Sequence, residues 1–162
     1  MIHLLVGNTG SGKTTYAKKL KAETNAVVFS IDKWNKTLFL PDKQPTDGLD
    51  WFLERIDRAE AMMMDLVIQL ETAHTDSILD LGLSKQSHRQ KFREFAQQHN
   101  YKVKLHYLDV PKEVRWQRVV QRNTEKGDSF EFEVSREDFD FMETWFEKPT
   151  EEELQGGIIV TE

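Results

Sequence analysis

The residues with the clearest chemical role lie near the start of the chain, where residues 7–14 read GNTGSGKT. They fit the pattern G-x-x-x-x-G-K-[ST], which a chain of this length contains by chance only about 0.006 times. Glycines let the backbone curl with its N–H groups pointing inward, and such a loop can bind a polyanion. Lys13 can reach β- and γ-phosphates, while the Thr14 hydroxyl can ligate the Mg²⁺ that bridges them.

The residues on either side of this loop favour the same interpretation. Residues 2–6 are an apolar run that predicts a strand, and residues 13–21 are rich in strong helix formers. A helix that begins at the loop adds its positive N-terminal end to an anion site. We therefore predict ATP and Mg²⁺ as ligands; a glycine-rich turn without a ligand is the alternative. The expected nucleotide-binding residues are Gly7, Asn8, Thr9, Gly10, Ser11, Gly12, Lys13, Thr14 and Thr15.

Two aspartates follow later apolar runs. Asp32 comes directly after residues 26–31, and Asp80 lies near the end of residues 77–81. The carboxyl ends of parallel strands meet at the edge of a sheet where ligands bind. We expect Asp32 to orient or deprotonate an acceptor hydroxyl, with a helix-capping or salt-bridged aspartate as the alternative. Asp80 is a candidate for holding Mg²⁺ through water, with strand-end capping as its alternative.

Three arginines share one face of a predicted helix, because Arg115, Arg118 and Arg122 are spaced three and four apart. The polar residues 123–134 follow directly. We expect residues 115–134 to form a lid that closes over the nucleotide, excludes water and brings these guanidinium groups onto the phosphates. For each arginine, an ordinary solvated helix face is the alternative.

Three other arginines are candidates for binding a charged or planar acceptor. Arg55 and Arg58 form a stripe with Trp51 on the helix after residues 33–48, and Arg89 begins a later helix. Surface salt bridging is the alternative for this stripe. The five histidines show no metal-ligand spacing, so we interpret them as structural; they are His3, His74, His88, His99 and His106.

The sequence argues against two classes of nucleotide-binding protein. Hydrolysing motors commonly have a glutamate after the aspartate of the third strand, but Leu81 follows Asp80 here. Guanine-specific switches need a base-reading N-K-x-D pattern, and residues 35–38 read NKTL in the wrong region. Transfer of a phosphoryl group to a bound acceptor is the reaction that remains.

Length and composition set wider limits. The 162 residues, 38% of them hydrophobic, match one domain over 1–162 with one core. The apolar runs are far shorter than the ~18 residues of a membrane span, and the start lacks a signal-peptide pattern. With no cysteine there is no disulfide framework, so we expect a cytoplasmic protein without a membrane partner. The net charge of −6 disfavours nucleic acid as a partner.

Strands and helices are predicted to alternate, which is typical of an α/β sandwich. We expect residues 33–48 to form a long loop that can include a short helix, Asp50 to cap the next helix, and Ser87 with Gln90 to form a capping box. Ser135 with Asp138 should cap the last helix. The predicted strands are 2–6, 26–31, 77–81, 103–108 and 157–161, and the predicted helices include 13–21 and 114–122.

With these motifs, the chain resembles the small P-loop kinase-like family, a group of AAA-type ATP-binding proteins similar to zeta toxins, chloramphenicol phosphotransferases and the kinase domains of polynucleotide kinases. The resemblance covers nearly the whole chain. Beyond the loop it rests on residues 29–32 (FSID), 78–82 (ILDLG), 87–89 (SHR), 105–111 (LHYLDVP), 113–118 (EVRWQR), 122–123 (RN), 139–143 (FDFME) and 146–149 (FEKP).

This resemblance implies a three-layer P-loop kinase-like sandwich whose five-stranded parallel sheet has the order 2-3-1-4-5. It implies ATP·Mg²⁺ as the phosphoryl donor, Asp32 acting on the acceptor hydroxyl, and Arg118 and Arg122 contacting phosphates. Residues 146–149 would border the adenine. Residues 33–50 match no pattern, so the acceptor is not identified.

We therefore expect a kinase that transfers the γ-phosphoryl group of ATP to a hydroxyl of a small molecule. Lys13, Asp32, Arg115, Arg118 and Arg122 are the expected catalytic residues. A kinase of nucleic-acid 5′ ends and a nucleotide-binding regulatory protein without phosphoryl transfer are the alternatives. The sequence predicts no oligomeric state.

Overall fold

The strands are short apolar runs, as a parallel sheet covered on both faces requires. The computed structural model describes residues 1–127 and 133–161. Within these ranges the strands are Ile2–Val6 (β1), Val27–Ser30 (β2), Ser77–Asp80 (β3), Val103–Leu108 (β4) and Ile158–Val160 (β5). They pair in parallel as one five-stranded sheet in the order β2-β3-β1-β4-β5. The predicted fold class and strand order are confirmed.

Helices connect the strands. Among the described residues the α-helices are Lys13–Thr24 (α1), Ile31–Trp34 (α2), Leu49–Thr72 (α3), Gln86–Gln98 (α4), Lys112–Glu125 (α5) and Arg136–Trp145 (α6). In this part of the chain, no helix is both long enough and apolar enough to cross a bilayer.

The central strand β1 is buried along its whole length. Because side chains alternate along a strand, Leu4 and Val6 pack into one core cluster and Leu5 into another. The first cluster includes Met63 of α3, and the second includes Ala17 of α1. Helices therefore cover both faces of the sheet, and the loop that leaves the end of β1 starts from a fixed position.

Residues 33–48 are helical over more of their length than a loop with one short helix, because helical turns extend to Asp42. Strand β2 ends at Ser30, whose hydroxyl accepts a hydrogen bond from the N–H of Lys33 and so caps α2. A π-helical turn over Asn35–Phe39 and a 3₁₀ turn over Leu40–Asp42 continue the chain. Asp32 accordingly lies in the first turn of a helix rather than directly after a strand.

Of the three predicted helix caps, two differ from the structure and one is confirmed. The residue before α3 is Gly48, and Asp50 lies within its first turn, where a carboxylate still favours the helix N-terminus. The capping box of Ser135 and Asp138 at α6 is confirmed, because the Ser135 hydroxyl accepts from the Asp138 N–H at 3.0 Å.

The capping box predicted for Ser87 and Gln90 is not formed. Helix α4 begins at Gln86, and the N–H of Gln86 donates to a carboxylate oxygen of Glu147 at 2.8 Å. A carboxylate that is distant in the sequence therefore replaces the local cap, which only the tertiary fold can supply.

Two histidines form a buried hydrogen-bonded chain beneath α1. His3 Nδ1 lies 2.9 Å from His106 Nε2, and His106 Nδ1 lies 2.8 Å from the Tyr16 hydroxyl. Burial lowers the pKa of His3, and burial together with the charges of His3 and Lys104 lowers the pKa of His106 to about 4. Both rings are therefore neutral in the folded protein at pH 7, which agrees with a structural role.

Acidification should destabilise the fold through this pair. The unfolded chain binds a proton at an ordinary histidine pKa of about 6.5, whereas folded His106 stays neutral down to a pKa of about 4. Stability is therefore lost as the pH falls from about 6.5 to about 4, and His106 alone should account for about 2 kcal/mol between pH 7 and pH 5. Urea unfolding at both pH values measures this loss. His106→Gln should remove most of this pH-dependent loss of stability. His99→Gln, at an exposed position, is the matched control. Equal pH dependence in wild type and His106→Gln would contradict the assignment.

Candidate nucleotide-binding site

The phosphate loop, residues 7–12, joins β1 to α1 by a tight turn. Gly10 and Gly12 have φ angles of 79° and 92°, a region that residues with a Cβ rarely adopt. A Cβ on Gly10 would also lie 2.5 Å from the carbonyl oxygen of Arg115, so the loop packs directly against α5. The N–H of Ser11 closes the turn by donating to the carbonyl of Asn8 at 3.0 Å. The sequence pattern thus produces the strand, turn and helix that an anion site requires.

Lys13 is the first residue of α1 and folds back over the loop. Its Nζ donates to the carbonyl oxygen of Gly7 at 2.8 Å. Burial lowers the pKa of Lys13, while the nearby carboxylates of Asp80 and Asp32 act to raise it. A cation taken out of water beside a loop of backbone N–H groups gains most from an anionic ligand, because charge interactions are strong where water is excluded.

Thr14 and Asp80 lie side by side at the end of the loop. The Thr14 hydroxyl donates to Asp80 Oδ2 at 3.4 Å, and burial raises the pKa of Asp80 although Lys13 and Thr14 act to lower it. Hydroxyl and carboxylate oxygens are the donors that Mg²⁺ prefers. Within the described residues no group of three or more His, Cys, Asp or Glu could hold a metal. The Thr14 hydroxyl and the Asp80 carboxylate would therefore suit a Mg²⁺ that binds together with the phosphates of a nucleotide.

A cavity of about 630 Å³ opens above the loop. Its volume lies within the range that small-molecule sites occupy. Apolar side chains from α5 and α6 form part of its wall. The lining residues are Thr9, Gly10, Gly12, Lys13, Thr14, Thr15, Asp32, Asp80, Arg118, Val119, Arg122, Glu133, Val134, Asp138, Phe141 and Met142.

Two of the three predicted lid arginines line this cavity. Arg118 Nη1 lies 3.4 Å from the carbonyl oxygen of Ser11. The Nε of Arg122 is buried and has no hydrogen-bond partner among the described residues. Burial lowers the pKa of Arg122, and the charge of Asp32 acts to raise it. The Arg122 side chain lines the cavity above the phosphate loop, where a guanidinium group suits a phosphate oxygen as its partner.

Comparison with known proteins places the chain in a family. The family model described as "AAA domain" matches residues 2–149. The chain belongs to the AAA domain family. The resemblance inferred from the motifs is thereby confirmed. A comparison with curated proteins found no match.

Solved structures share the fold of this AAA domain at low sequence identity. Chaetomium thermophilum Kti12 in complex with ADP-AlF3 matches with a TM-score of 0.72 and 16% identity over 99% of this chain and 89% of that chain. Mycobacterium tuberculosis APS kinase CysC in complex with AMPPNP and APS matches with a TM-score of 0.67 and 15% identity, covering 99% and 87%. A gluconokinase from Sinorhizobium meliloti 1021 matches with a TM-score of 0.62 and 14% identity, covering 98% and 81%.

The family match and the shared fold agree with a nucleotide site at the phosphate loop of this AAA domain. The identities to the solved structures are too low to transfer a substrate. Any assignment of the acceptor must therefore come from the residues that line the cavity.

Arg115 does not belong to the cavity, contrary to the prediction. Its guanidinium is buried, where it pairs with Glu143 at 2.6 Å and donates to the carbonyl oxygens of Val110 and Thr9. The three-and-four spacing places Arg115 on the same side of α5 as Arg118. At Arg115, one turn before Arg118, that side packs on the loop and on Phe139. Arg115 therefore stabilises the phosphate loop through its hydrogen bond to the Thr9 carbonyl oxygen.

The three arginines considered for the acceptor also lie outside the cavity. Arg89 is fully buried and forms a two-pronged ion pair with Glu153, at 2.7 and 3.1 Å. Arg55 stacks on the Trp51 ring, 3.8 Å from its centre, and Arg58 is exposed and pairs with Glu54. The Arg58 contact agrees with the alternative of surface salt bridging, whereas Arg55 contacts a ring and Arg89 belongs to a buried ion pair.

Other predicted site elements fall partly outside the cavity or the described residues. The segment 146–149 does not contribute to the lining, and Phe146 stacks on Tyr107 with ring centres 6.3 Å apart. Of the predicted lid, residues 128–132 lie outside the described residues. The described flanks do line the cavity, through Arg118, Arg122 and Val134.

Sequence reasoning missed the contribution of α6. Asp138, Phe141 and Met142 line the cavity, and their spacing of three and four residues places them on one helix face. That spacing is a signal in the sequence from which a shared helix face could have been predicted. Phe141 lines the cavity and is 60% exposed, so its ring is accessible to a ligand.

Gly10→Ala should cost more stability than a positive φ alone would explain. Both Gly10 and Gly156 have positive φ, but an added Cβ at Gly156 would meet no heavy atom within 4 Å. We expect Gly156→Ala to lower the free energy of unfolding by about 1 to 2 kcal/mol and Gly10→Ala by clearly more, with loss of ATP binding. Urea unfolding and ATP titration measure both variants. Equal losses of stability would show that the loop does not press against α5.

Proposed function

We propose that this protein is an ATP-dependent kinase that transfers the γ-phosphoryl group of ATP to a hydroxyl of a small molecule. The observation that carries this proposal is that the exposed carboxylate of Asp32 lines the same cavity as Lys13 and the phosphate loop. Asp32 is close enough to Lys13 and Arg122 to act on the pKa of each. A carboxylate at the phosphate site is the group that a hydroxyl acceptor needs.

The donor side would hold the triphosphate through positive charge and backbone dipoles. The loop N–H groups and the N-terminus of α1 face the phosphates, and Lys13 exchanges its contact with the Gly7 carbonyl for phosphate oxygens. Arg118 and Arg122 approach from α5 and offset the charge that spreads over the transferred group. A bound Mg²⁺, held by Thr14 and by Asp80 through water, would neutralise further phosphate charge.

On the acceptor side, Asp32 would orient the hydroxyl and take its proton. The acceptor oxygen forms a bond to the γ-phosphorus as the bond from that phosphorus to the β–γ bridging oxygen breaks. The hydroxyl proton passes to the Asp32 carboxylate, and ADP is the leaving group. The absence of a glutamate after Asp80 supports transfer to an acceptor rather than to water.

The cavity favours an acceptor that combines a hydroxyl with apolar surface. Val119, Val134, Phe141 and Met142 form an apolar wall in the same cavity as the charged residues. Such a wall gains free energy by covering apolar groups, and an exposed aromatic ring can stack on a planar one. Alcohols that carry a ring or a hydrocarbon portion are therefore the first acceptors to screen.

A nucleic-acid end is the second candidate acceptor. The structure titled "Structure of the Pnkp1/Rnl/Hen1 RNA repair complex" shares the fold with a TM-score of 0.67 and 23% identity, over 89% of this chain and 43% of that chain. The net charge of −6 therefore does not decide against a nucleic-acid partner. Mass spectrometry of a panel of alcohols, sugars, nucleosides and 5′-hydroxyl oligonucleotides, with ATP and Mg²⁺, distinguishes the two by which acceptor gains one phosphoryl group.

Nucleotide binding should stabilise the fold through Lys13. At about 100 times its dissociation constant, ATP with Mg²⁺ should raise the free energy of unfolding by about 2.7 kcal/mol. Lys13→Ala should weaken ATP binding, because the loop loses its buried cation, and should reduce turnover as well. Thermal unfolding with and without nucleotide measures the first effect. No change in the wild-type melting temperature at saturating nucleotide would contradict the assignment of the loop.

Asp32→Asn should separate binding from transfer. The amide keeps the size of the side chain but cannot accept the proton, so ATP affinity should stay near wild type while transfer falls about 10²- to 10⁴-fold. Asp65→Asn, at an exposed position on α3, is the matched control. A fully active Asp32→Asn variant would remove this residue from the mechanism. Tight ATP binding with no transfer by the wild type to any acceptor would instead favour a regulatory protein.

A further inference from the structure

The shortest hydrogen bond between the phosphate loop and helix α6 goes to the Glu143 carboxylate, beside a longer one of 3.5 Å from Asn8 Nδ2 to the Met142 carbonyl oxygen. The amide Nδ2 of Asn8 and the guanidinium Nη1 of Arg115 both donate to the same oxygen of Glu143, at 2.5 and 2.6 Å. Asn8 and Arg115 are buried, and the Glu143 side chain is 22% exposed. Glu143 therefore connects the loop, α5 and α6 at one point.

The two groups that Glu143 holds in turn hold both sides of Thr9. The side-chain oxygen of Asn8 accepts from the N–H of Thr9 at 2.8 Å. Arg115 Nη1 donates to the carbonyl oxygen of Thr9 at 3.1 Å. Asn8 can orient its oxygen towards Thr9 because its NH₂ group faces Glu143. The N–H and the C=O of Thr9 are thus each hydrogen-bonded to a side chain that also donates to the Glu143 carboxylate.

This arrangement decides the direction of the next N–H group of the loop. In a trans peptide the C=O and the N–H point in opposite directions, and the described residues contain no cis peptide. With the Thr9 carbonyl drawn towards Arg115, the N–H of Gly10 must point away from α5. Gly10 lines the cavity, so this direction is the one in which a phosphate oxygen can accept.

We propose that Glu143 is a positioning residue of the nucleotide site, which through Arg115 and Asn8 holds the Thr9–Gly10 peptide with its N–H directed at the bound phosphates. This inference rests on nucleotide binding at the loop but not on phosphoryl transfer. Glu143 is not among the residues that line the cavity. It acts because a buried guanidinium without its carboxylate would turn towards another acceptor. Neither charge nor helical spacing identified Glu143 as a functional residue.

The test compares three variants by calorimetric titration with ATP, well below each melting temperature. Glu143→Ala should raise the ATP dissociation constant about 10- to 100-fold, as expected for the loss of a charge-assisted contact with the ligand. Glu143→Gln keeps an oxygen that can accept from both donors, so its affinity should lie between Glu143→Ala and wild type. Asp140→Asn breaks ion pairs of the same helix, with Lys112 and Arg136, and should leave the dissociation constant within about twofold.

The stoichiometry of the same titration separates positioning from folding. Irreversibly misfolded protein lowers the number of binding sites without changing the affinity of the folded molecules. Reversible unfolding weakens the apparent affinity only by the folded fraction, which is close to one well below the melting temperature. A misdirected N–H, in contrast, weakens every site. If Glu143→Ala does not fold, the test uses Glu143→Gln. This variant should bind ATP at full stoichiometry but with weaker affinity than wild type. Unchanged ATP affinity in a folded Glu143→Ala variant, or a loss confined to stoichiometry, overturns the proposal. Failure to find phosphoryl transfer would overturn the kinase function and leave this inference intact.

Discussion

The close approach of the phosphate loop to helix α5 is the constraint on which the rest of the site depends. At Gly10 the backbone lies so near the Arg115 carbonyl that no side chain fits, and the positive φ angles of Gly10 and Gly12 curl the loop away from the helix. The fully buried strand β1 fixes where the loop begins. Because both anchors are rigid, the N–H groups of the loop are held in place before any ligand arrives, which lowers the cost of binding.

Charge balance is the second feature that shapes the site. Lys13 and Arg122 are partly removed from water, and the carboxylates of Asp32 and Asp80 offset their charge. A triphosphate would bring negative charge to the cations, while a divalent cation would bring positive charge to Asp80 and Thr14. Donor and metal would therefore stabilise each other's binding.

Much of the fold and the centre of the site could be predicted from the sequence. The short apolar runs predicted the strands, and the spacing of glycines, lysine and threonine predicted the loop that joins β1 to α1. Helical spacing predicted that three arginines share one face of α5, but only Arg118 and Arg122 line the cavity, while Arg115 pairs with Glu143. Spacing tells which residues share a helix face, but not where along that face the helix stops packing on its neighbour and begins to face a cavity.

By itself, the sequence determined the local chemistry of this protein: a phosphate-binding motif at residues 7–14, and alternating elements that form a parallel sheet. Only the tertiary structure decided which charged side chains face the ligand and which hold the fold. Arg89 pairs with Glu153 and Arg115 with Glu143, although these partners lie 64 and 28 residues apart in the chain. The reason is physical: a buried charge needs an opposite charge close by, and the folded chain alone determines which one is within reach.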